Sequence, residues 1–397
     1  MGKAISMINS KANKKVDTVS TIGFIIVLAI VWFMTQDQKE MVSNAITASF
    51  LYVTFAMIVR INRLNKQWLH IATACSIIAF LNVTLSSFGS FDYYKKAIMF
   101  SVSMFWLVYV ACNHITKRTV DVLLVINALI SIVYIYAYNT CGFTLYEDEI
   151  LLTLNFPNPN QTGMFLLSSV MMLTLPVFSE KEMGYNVIIR AISGVLIVAL
   201  LSLLFLTGCR SAYGSYAAFL ILTLLEFLPR FEFRLKKMQI WLWSLSPLLF
   251  AILYVLFIET IDFDTSFGME SSGKTNTTRL AVWNSSFNTF WDWAFLGAYA
   301  SIESIVKFSH VHNTHLDVWM SYGVVPFILF STLLYKVTWL SYEKTSTRFQ
   351  RMSLYAFMAC FIQGFFEASL MSGSAGLFLL SFGFLLLSNA NINDYKQ

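Results

Sequence analysis

Long apolar runs, each close to the length of a membrane span, dominate this sequence of 397 residues. A helix needs roughly 20 mostly apolar residues to cross the ~30 Å hydrocarbon core of a bilayer. Twelve runs approach that length, at about 19–35, 42–59, 68–88, 97–113, 120–138, 160–178, 185–206, 211–228, 239–258, 315–336, 352–371 and 374–388. Because very short turns separate some of these runs, the number of spans lies between ten and thirteen. The pattern predicts an all-α protein, a polytopic transmembrane helical bundle of about 12 spans.

The composition agrees with this interpretation and excludes other classes. The chain is 57% hydrophobic and 12% charged, whereas soluble domains carry about 25% charged residues. No soluble domain can be delimited, so we interpret residues 1–397 as a single transmembrane domain. The net charge of +5 does not indicate nucleic-acid binding, because the basic residues lie in short clusters between apolar runs. Membrane lipid is the partner that this pattern predicts.

The distribution of Lys and Arg predicts the orientation, because short cytoplasmic loops carry an excess of both residues. With the N-terminus in the cytoplasm, 20 of the 27 basic residues fall in inside loops. Seven remain outside: Lys39, Lys95, Lys96, Arg210, Lys274, Arg279 and Lys307. The sequence therefore predicts that both termini are cytoplasmic, with the first apolar run an uncleaved span.

Two longer polar segments fall outside on this topology, at 139–160 and 259–314. Long loops are more often functional than short ones, and we interpret 259–314 as a large extracytoplasmic loop. Within it, four apolar residues recur at helical spacing: Leu280, Trp283, Phe287 and Trp291. Their spacing, opposite Arg279 and Ser286, predicts a short amphipathic helix at the membrane surface, with Thr277 or Thr278 as its N-cap.

Three residues on the predicted outer face could carry chemistry: Arg210, Arg279 and His312. A guanidinium binds phosphate oxygens through a bidentate fork, and an imidazole can take a proton near neutral pH. Each residue alone has a structural explanation, as an interfacial arginine, a solvated helix start and a neighbour of a helix cap. Together they suggest a reaction on a lipid-linked phosphate or diphosphate.

Four further residues lie near this set. Glu367 falls in the last turns of the predicted 352–371 span, where an ionisable side chain needs a partner; a structural ion pair explains it equally well. Asn160 and His315 could line an outer cavity, or could cap and pack helices, and Asn313 follows His312 directly. No Walker, GxGxxG or HExxH motif occurs, so we expect neither a metal nor a cofactor.

These motifs resemble those of the bacterial O-antigen ligase and polysaccharide polymerase superfamily. Four signatures occur in order over roughly 155–335: Asn158-Pro159-Asn160, Thr207-Gly208-x-Arg210-Ser211, Arg279-x-x-x-Trp283 with Gly297, and His312-Asn313-x-x-Leu316 with Gly323. Cys209 replaces the serine that often precedes the arginine.

The resemblance implies an inverting, metal-independent glycosyltransferase with a helical fold akin to the C-type membrane glycosyltransferases. Its donor would be a glycan on undecaprenyl diphosphate at the outer leaflet of the bacterial cytoplasmic membrane. Arg210 and Arg279 would hold the diphosphate and His312 would orient or deprotonate the acceptor hydroxyl. Asn160, Asn313, His315 and Glu367 would contact substrate.

We therefore expect a polymerase of capsule, exopolysaccharide or O-antigen repeat units, working beside a flippase and chain-length regulator proteins. An O-antigen-type ligase, which transfers the finished glycan to an acceptor, remains the nearest alternative. A flippase for lipid-linked sugars is the alternative from another class, but transporters place ionisable residues near the bilayer midplane. Here the candidate residues gather at one face.

Overall fold

A computed structural model describes residues 64–86, 91–146, 149–154, 159–228, 234–258, 275–298, 311–366 and 375–391. The spans predicted at 19–35 and 42–59 lie outside these residues, as does Glu367. The described residues are mostly helical, as the apolar runs predict.

The helices follow one another with short connections. They are α1 (Lys66–Ser86), α2 (Phe91–Cys112), α3 (Lys117–Cys141), α4 (Pro159–Phe178), α5 (Val187–Leu206), α6 (Arg210–Leu225), α7 (Lys237–Ile258), α8 (Thr275–Asn288), α9 (Phe290–Trp293), α10 (Thr314–Tyr322), α11 (Val324–Lys344), α12 (Arg348–Gln363) and α13 (Ala375–Ser388). Strands β1 (Phe143–Tyr146) and β2 (Glu149–Leu152) form an antiparallel hairpin between α3 and α4.

Six of the described helices are long and apolar enough to cross a membrane: α1, α3, α4, α5, α7 and α11. Outer helices such as α5 expose apolar side chains, among them Val195 and Val198. In contrast, α4 is buried along almost its whole length and so lies inside the bundle. Water-soluble monomers rarely expose apolar surface on this scale. The chain is a membrane-embedded helical protein.

Helix α12 is the second interior helix, and polar groups fix the end at which it begins. Thr347 and Gln350 form a reciprocal capping box, and the amide of Phe349 donates to Glu180 Oε2 at 3.0 Å. The carboxylate therefore sits where the helix dipole is positive, which is the favourable end for an anion. Glu180 directly follows α4 and its turn, so this contact ties two interior helices together.

Helices α6 and α12 pack against each other in opposite directions. Glu226, directly after α6, accepts hydrogen bonds from Arg351 Nε at 2.9 Å and from the Tyr355 hydroxyl at 2.6 Å. Both partners lie in the first turns of α12. The C-terminal end of α6 thus meets the N-terminal end of α12, at the side that the charge pattern predicts to be cytoplasmic.

The single span predicted at 315–336 is wrong, because the structure divides it at Gly323 into α10 and α11. Gly323 has φ +86°, which places it in a backbone region that L side chains rarely adopt. A Cβ atom there would lie 2.3 Å from the Phe295 carbonyl oxygen. The close approach of the 290–298 segment therefore imposes the break. The span predicted at 352–371 also differs, since α12 already ends at Gln363.

A helix is present where the sequence predicts one in the large loop, but its details differ, and its position at the membrane surface stays a prediction. It starts at Thr275, so neither Thr277 nor Thr278 is its N-cap. Ser286, predicted on the polar face, is fully buried, and its carbonyl oxygen accepts from Trp293 Nε1 at 2.9 Å. The Trp293 indole, from the short helix α9 that follows, packs against this residue, and periodicity within one helix does not reveal that contact.

Candidate functional site

Arg210 is the first residue of α6 and follows a tight turn after α5. Thr207 Oγ1 donates to the Leu204 carbonyl at 2.7 Å and accepts from the Cys209 amide at 3.2 Å. Gly208 has φ +63° and lets the chain reverse. The turn presents Arg210 as an exposed cation at a helix N-terminus. A cation alone is unfavourable at the N-terminus of a helix, whereas the backbone N–H groups of a helix start and a guanidinium together suit an anion.

The turn before Arg210 packs directly against the first turn of α4. Cys209 Sγ lies 3.8 Å from the Asn160 carbonyl oxygen and donates to it. A Cβ atom at Gly163 would lie 2.5 Å from Cys209 Cβ, so only glycine allows this approach. The first turn of α4, from Pro159 to Gly163, and the turn Thr207–Ser211, separate in the sequence, therefore meet in the fold. Asn160 itself is partly exposed beside this contact.

Replacing Gly163 by alanine is expected to separate α4 from this turn. The added methyl group meets Cys209 with no room to move, so unfolding should become easier by about 1–3 kcal/mol, the usual cost of overpacking. A thermal melt of the purified protein in detergent measures the loss. Gly194→Ala, on the outer face of α5 with nothing within 4 Å, is the matched control. Equal melting temperatures for both variants would contradict the proposed contact.

His312 lies in the three-residue stretch that leads into α10. Its φ is +53°, an unusual value for a residue other than glycine. Strained backbone of this kind costs about 1–3 kcal/mol and concentrates at functional sites. The neighbouring carbonyl, at Val311, accepts from Trp283 Nε1 at 2.7 Å. The strain therefore sits in a stretch that is held firmly at its start.

Asn313 fixes the other side of His312 through three hydrogen bonds. Its Oδ1 caps α10 by accepting from the Leu316 amide at 3.0 Å. Its Nδ2 donates to the Pro247 carbonyl at 2.7 Å and to the Phe365 carbonyl at 3.2 Å. One fully buried side chain thus joins α7, α10 and the end of α12. These contacts make Asn313 a support for His312, and its predicted contact with substrate stays a prediction.

Arg279 is brought towards His312 by the helix on which it lies. Trp283, four residues later in α8, is fully buried and bonds the carbonyl next to His312. Four residues are about one turn, a rise of about 6 Å. The structure describes the backbone of Arg279 but not its side chain. The backbone therefore places Arg279 one helical turn from the indole that contacts the His312 stretch.

Arg210 and the His312 stretch lie at the same end of the bundle. Gly364, directly after α12, accepts from the Thr314 amide at 2.8 Å. The ion pair of Glu226 and Arg351 lies at the C-terminal end of α6 and the N-terminal end of α12. Since the two helices are antiparallel, Arg210 and Gly364 both lie at the far end, about 20–24 Å from that ion pair by helix rise. The charge pattern predicts that this end is extracytoplasmic.

His315, the other histidine singled out in the sequence, occupies a different environment. It is fully buried, with its ring 5.2 Å from that of Phe330 and 6.0 Å from that of Phe327. Nε2 lies 2.6 Å from the Ser244 carbonyl oxygen and donates to it. These contacts connect α10 to α7 and α11. These contacts agree with a role for His315 in helix packing. Its predicted contact with substrate stays a prediction.

Sequence reasoning missed one buried carboxylate, Asp317. It lies in the first turn of α10, where an acidic side chain suits the helix dipole, and it is 5% exposed. The signal was present, because an acidic residue inside an apolar run predicted to cross the membrane is by default a functional hypothesis. Among the described residues, no cluster of three or more His, Cys, Asp or Glu side chains could hold a metal ion.

The fold and this arrangement define a class: a membrane-embedded helical protein with polar groups from several helices gathered at one end of the bundle. Comparison with known proteins adds no narrower assignment, since no protein-family model, curated protein or solved structure matches the chain.

Proposed function

We propose that this protein is a polymerase that joins oligosaccharide repeat units carried on undecaprenyl diphosphate at the outer face of the bacterial cytoplasmic membrane. One observation supports the proposal above the others. The helix start at Arg210, the helix of Arg279 and the strained stretch at His312 all belong to the end of the bundle opposite the Glu226–Arg351 ion pair.

The proposed reaction is a single displacement with inversion. An acceptor sugar hydroxyl attacks the anomeric carbon of the donor, and the bond from that carbon to the diphosphate oxygen breaks. The diphosphate leaves with the bonding electron pair, and the hydroxyl proton passes to His312. Arg210 and Arg279 stabilise the charge that develops on the leaving group. The N-terminus of α6 adds amide donors to the same anion site.

The proposal is tested by replacing each of Arg210, Arg279 and His312 with alanine in the producing bacterium. Each variant should reach the membrane at the wild-type level and lose long glycan chains, because each removes charge stabilisation or proton transfer worth a hundredfold or more in rate. Arg234→Ala is the matched control, since this exposed arginine precedes α7 at the opposite end of the bundle. Full-length polymer from all three variants would refute the site.

A deletion strain separates the polymerase from its alternatives. Single repeat units attached to their final acceptor, without longer chains, indicate a polymerase. Polymer that accumulates on the lipid carrier indicates a ligase. Lipid-linked repeats retained on the cytoplasmic side indicate a flippase, and that outcome would also remove the role proposed for His312.

A further inference from the structure

An exposed aromatic surface follows α8, and we call Trp291, Phe295 and Leu296 the α9 patch. Their exposed fractions are 76%, 62% and 52%. The rings of Trp291 and Phe295 are stacked, with centroids 6.1 Å apart and an interplanar angle of 23°. Three large apolar side chains on six residues of chain are an unusual surface for contact with water.

The backbone that carries the α9 patch is firmly attached to the bundle on its other side. Trp319 Nε1 donates to the Ala294 carbonyl at 2.9 Å, and the Ala298 amide donates to the Met320 carbonyl at 2.7 Å. Trp293 is fully buried between these contacts. The patch is therefore held in place facing outwards, and its exposure does not result from a loosely attached segment.

Gly323 fixes the depth of the α9 patch relative to the membrane spans. A Cβ atom at Gly323 would lie 2.3 Å from the Phe295 carbonyl oxygen and 2.9 Å from the Leu296 carbonyl carbon. The next residue begins α11, whose 21 residues rise about 30 Å, close to the thickness of the hydrocarbon core. Phe295 and Leu296 thus lie where one span reaches the boundary between hydrocarbon and headgroups.

The α9 patch continues an apolar surface of two neighbouring spans. On α11, Val325 and Ile328 are exposed within the first turns after Gly323. On α1, Leu81 and Leu85 are exposed on either side of Asn82, whose Nδ2 donates to the Tyr322 carbonyl at 2.7 Å. Since α1 and α11 are apolar enough to span the membrane, exposed apolar side chains at this level suit contact with lipid.

We propose that Trp291, Phe295 and Leu296 insert into the bilayer at the boundary between acyl chains and headgroups, on the side predicted to be extracytoplasmic. Aromatic side chains are enriched at this depth. Phe295 and Leu296 offer no hydrogen-bonding group, which suits contact with acyl chains. Insertion would hold α8, and with it Arg279, at the level of lipid headgroups.

Site-directed spin labelling of the full chain in phospholipid nanodiscs tests the proposal. Labels are attached to the variants Trp291→Cys and Phe295→Cys, and the unsubstituted protein supplies the background from its own cysteines. At both positions, collisions with oxygen should exceed collisions with a water-soluble nickel chelate several-fold. Asp292→Cys, whose residue is exposed between the two, is the matched control and should give the reverse ratio.

Each alternative result overturns the proposal. Nickel-chelate collisions that dominate at 291 and 295 would place the patch in water. Protection of both labels by a soluble oligosaccharide, but not by lipid, would make the surface a glycan platform instead. Neither outcome depends on whether the protein joins glycans.

Discussion

Gly323→Ala is expected to abolish most of the folded protein. Two costs add at this position. The glycine φ of +86° becomes strained with a side chain, and the new Cβ would collide with the Phe295 carbonyl oxygen at 2.3 Å. Backbone strain and overpacking together amount to about 2–6 kcal/mol. A loss of that size is comparable to the whole stability of many proteins, and thermal unfolding after purification in detergent measures it.

The variant Gly184→Ala separates the backbone strain from the steric collision. Gly184 also has a positive φ, of +72°, but nothing lies within 4 Å of its added Cβ. We therefore expect this control to lose only the strain term, and to remain folded. If Gly323→Ala melted at the same temperature as Gly184→Ala, the close packing of the 290–298 segment on Gly323 would be refuted.

Asn313→Asp is expected to have the second large effect. The aspartate can still cap α10 through one oxygen, but its other oxygen would face two carbonyl groups that now accept from Nδ2 at 2.7 and 3.2 Å. An uncompensated buried charge costs about 3–5 kcal/mol. The melting temperature should fall, and glycan synthesis should fall with it, because the same side chain holds the stretch containing His312.

The matched control for this change is Asn186→Asp. Asn186 caps α5 by accepting from the Ile189 amide at 2.9 Å, and it is exposed. Asp and Asn are equally good N-caps, so this variant should keep wild-type stability. If Asn313→Asp also left the melting temperature unchanged, the bridge among α7, α10 and α12 would be refuted.

Hydrophobic run lengths predicted the positions of most described helices to within a few residues. The helices α4, α5 and α7 begin and end close to the predicted 160–178, 185–206 and 239–258. A run of apolar residues is a local property that the bilayer selects directly. Local sequence therefore carries this part of the fold, although the total of 12 spans extends beyond the described residues.

The division of one predicted span at Gly323 was missed although signals for it were present. Pro326 lies in the first turn of α11, a position that suits proline and marks a helix start. The residues that force the break, Phe295 and Leu296, are almost 30 positions away. A hydropathy average over this region shows no break, because the residues on both sides of Gly323 are apolar.

The candidate site was predictable as a set of residue types but not as a set of contacts. Charge and motif order singled out Arg210, Arg279 and His312. The support of the site depends on hydrogen bonds between distant segments, such as Trp283 to Val311 and Asn313 to Pro247. Periodicity within one helix does not encode such pairs, so only the three-dimensional structure reveals them.

The short helix α6, which exposes Ile221 and Leu224 on its outer face, affects the lipid around the protein. Sixteen residues rise about 24 Å, which is about 6 Å less than the hydrocarbon thickness. Hydrophobic mismatch of this kind is relieved by local thinning of the membrane. For the carrier lipid of the proposed reaction, such thinning would let the phosphates reach Arg210 while remaining hydrated.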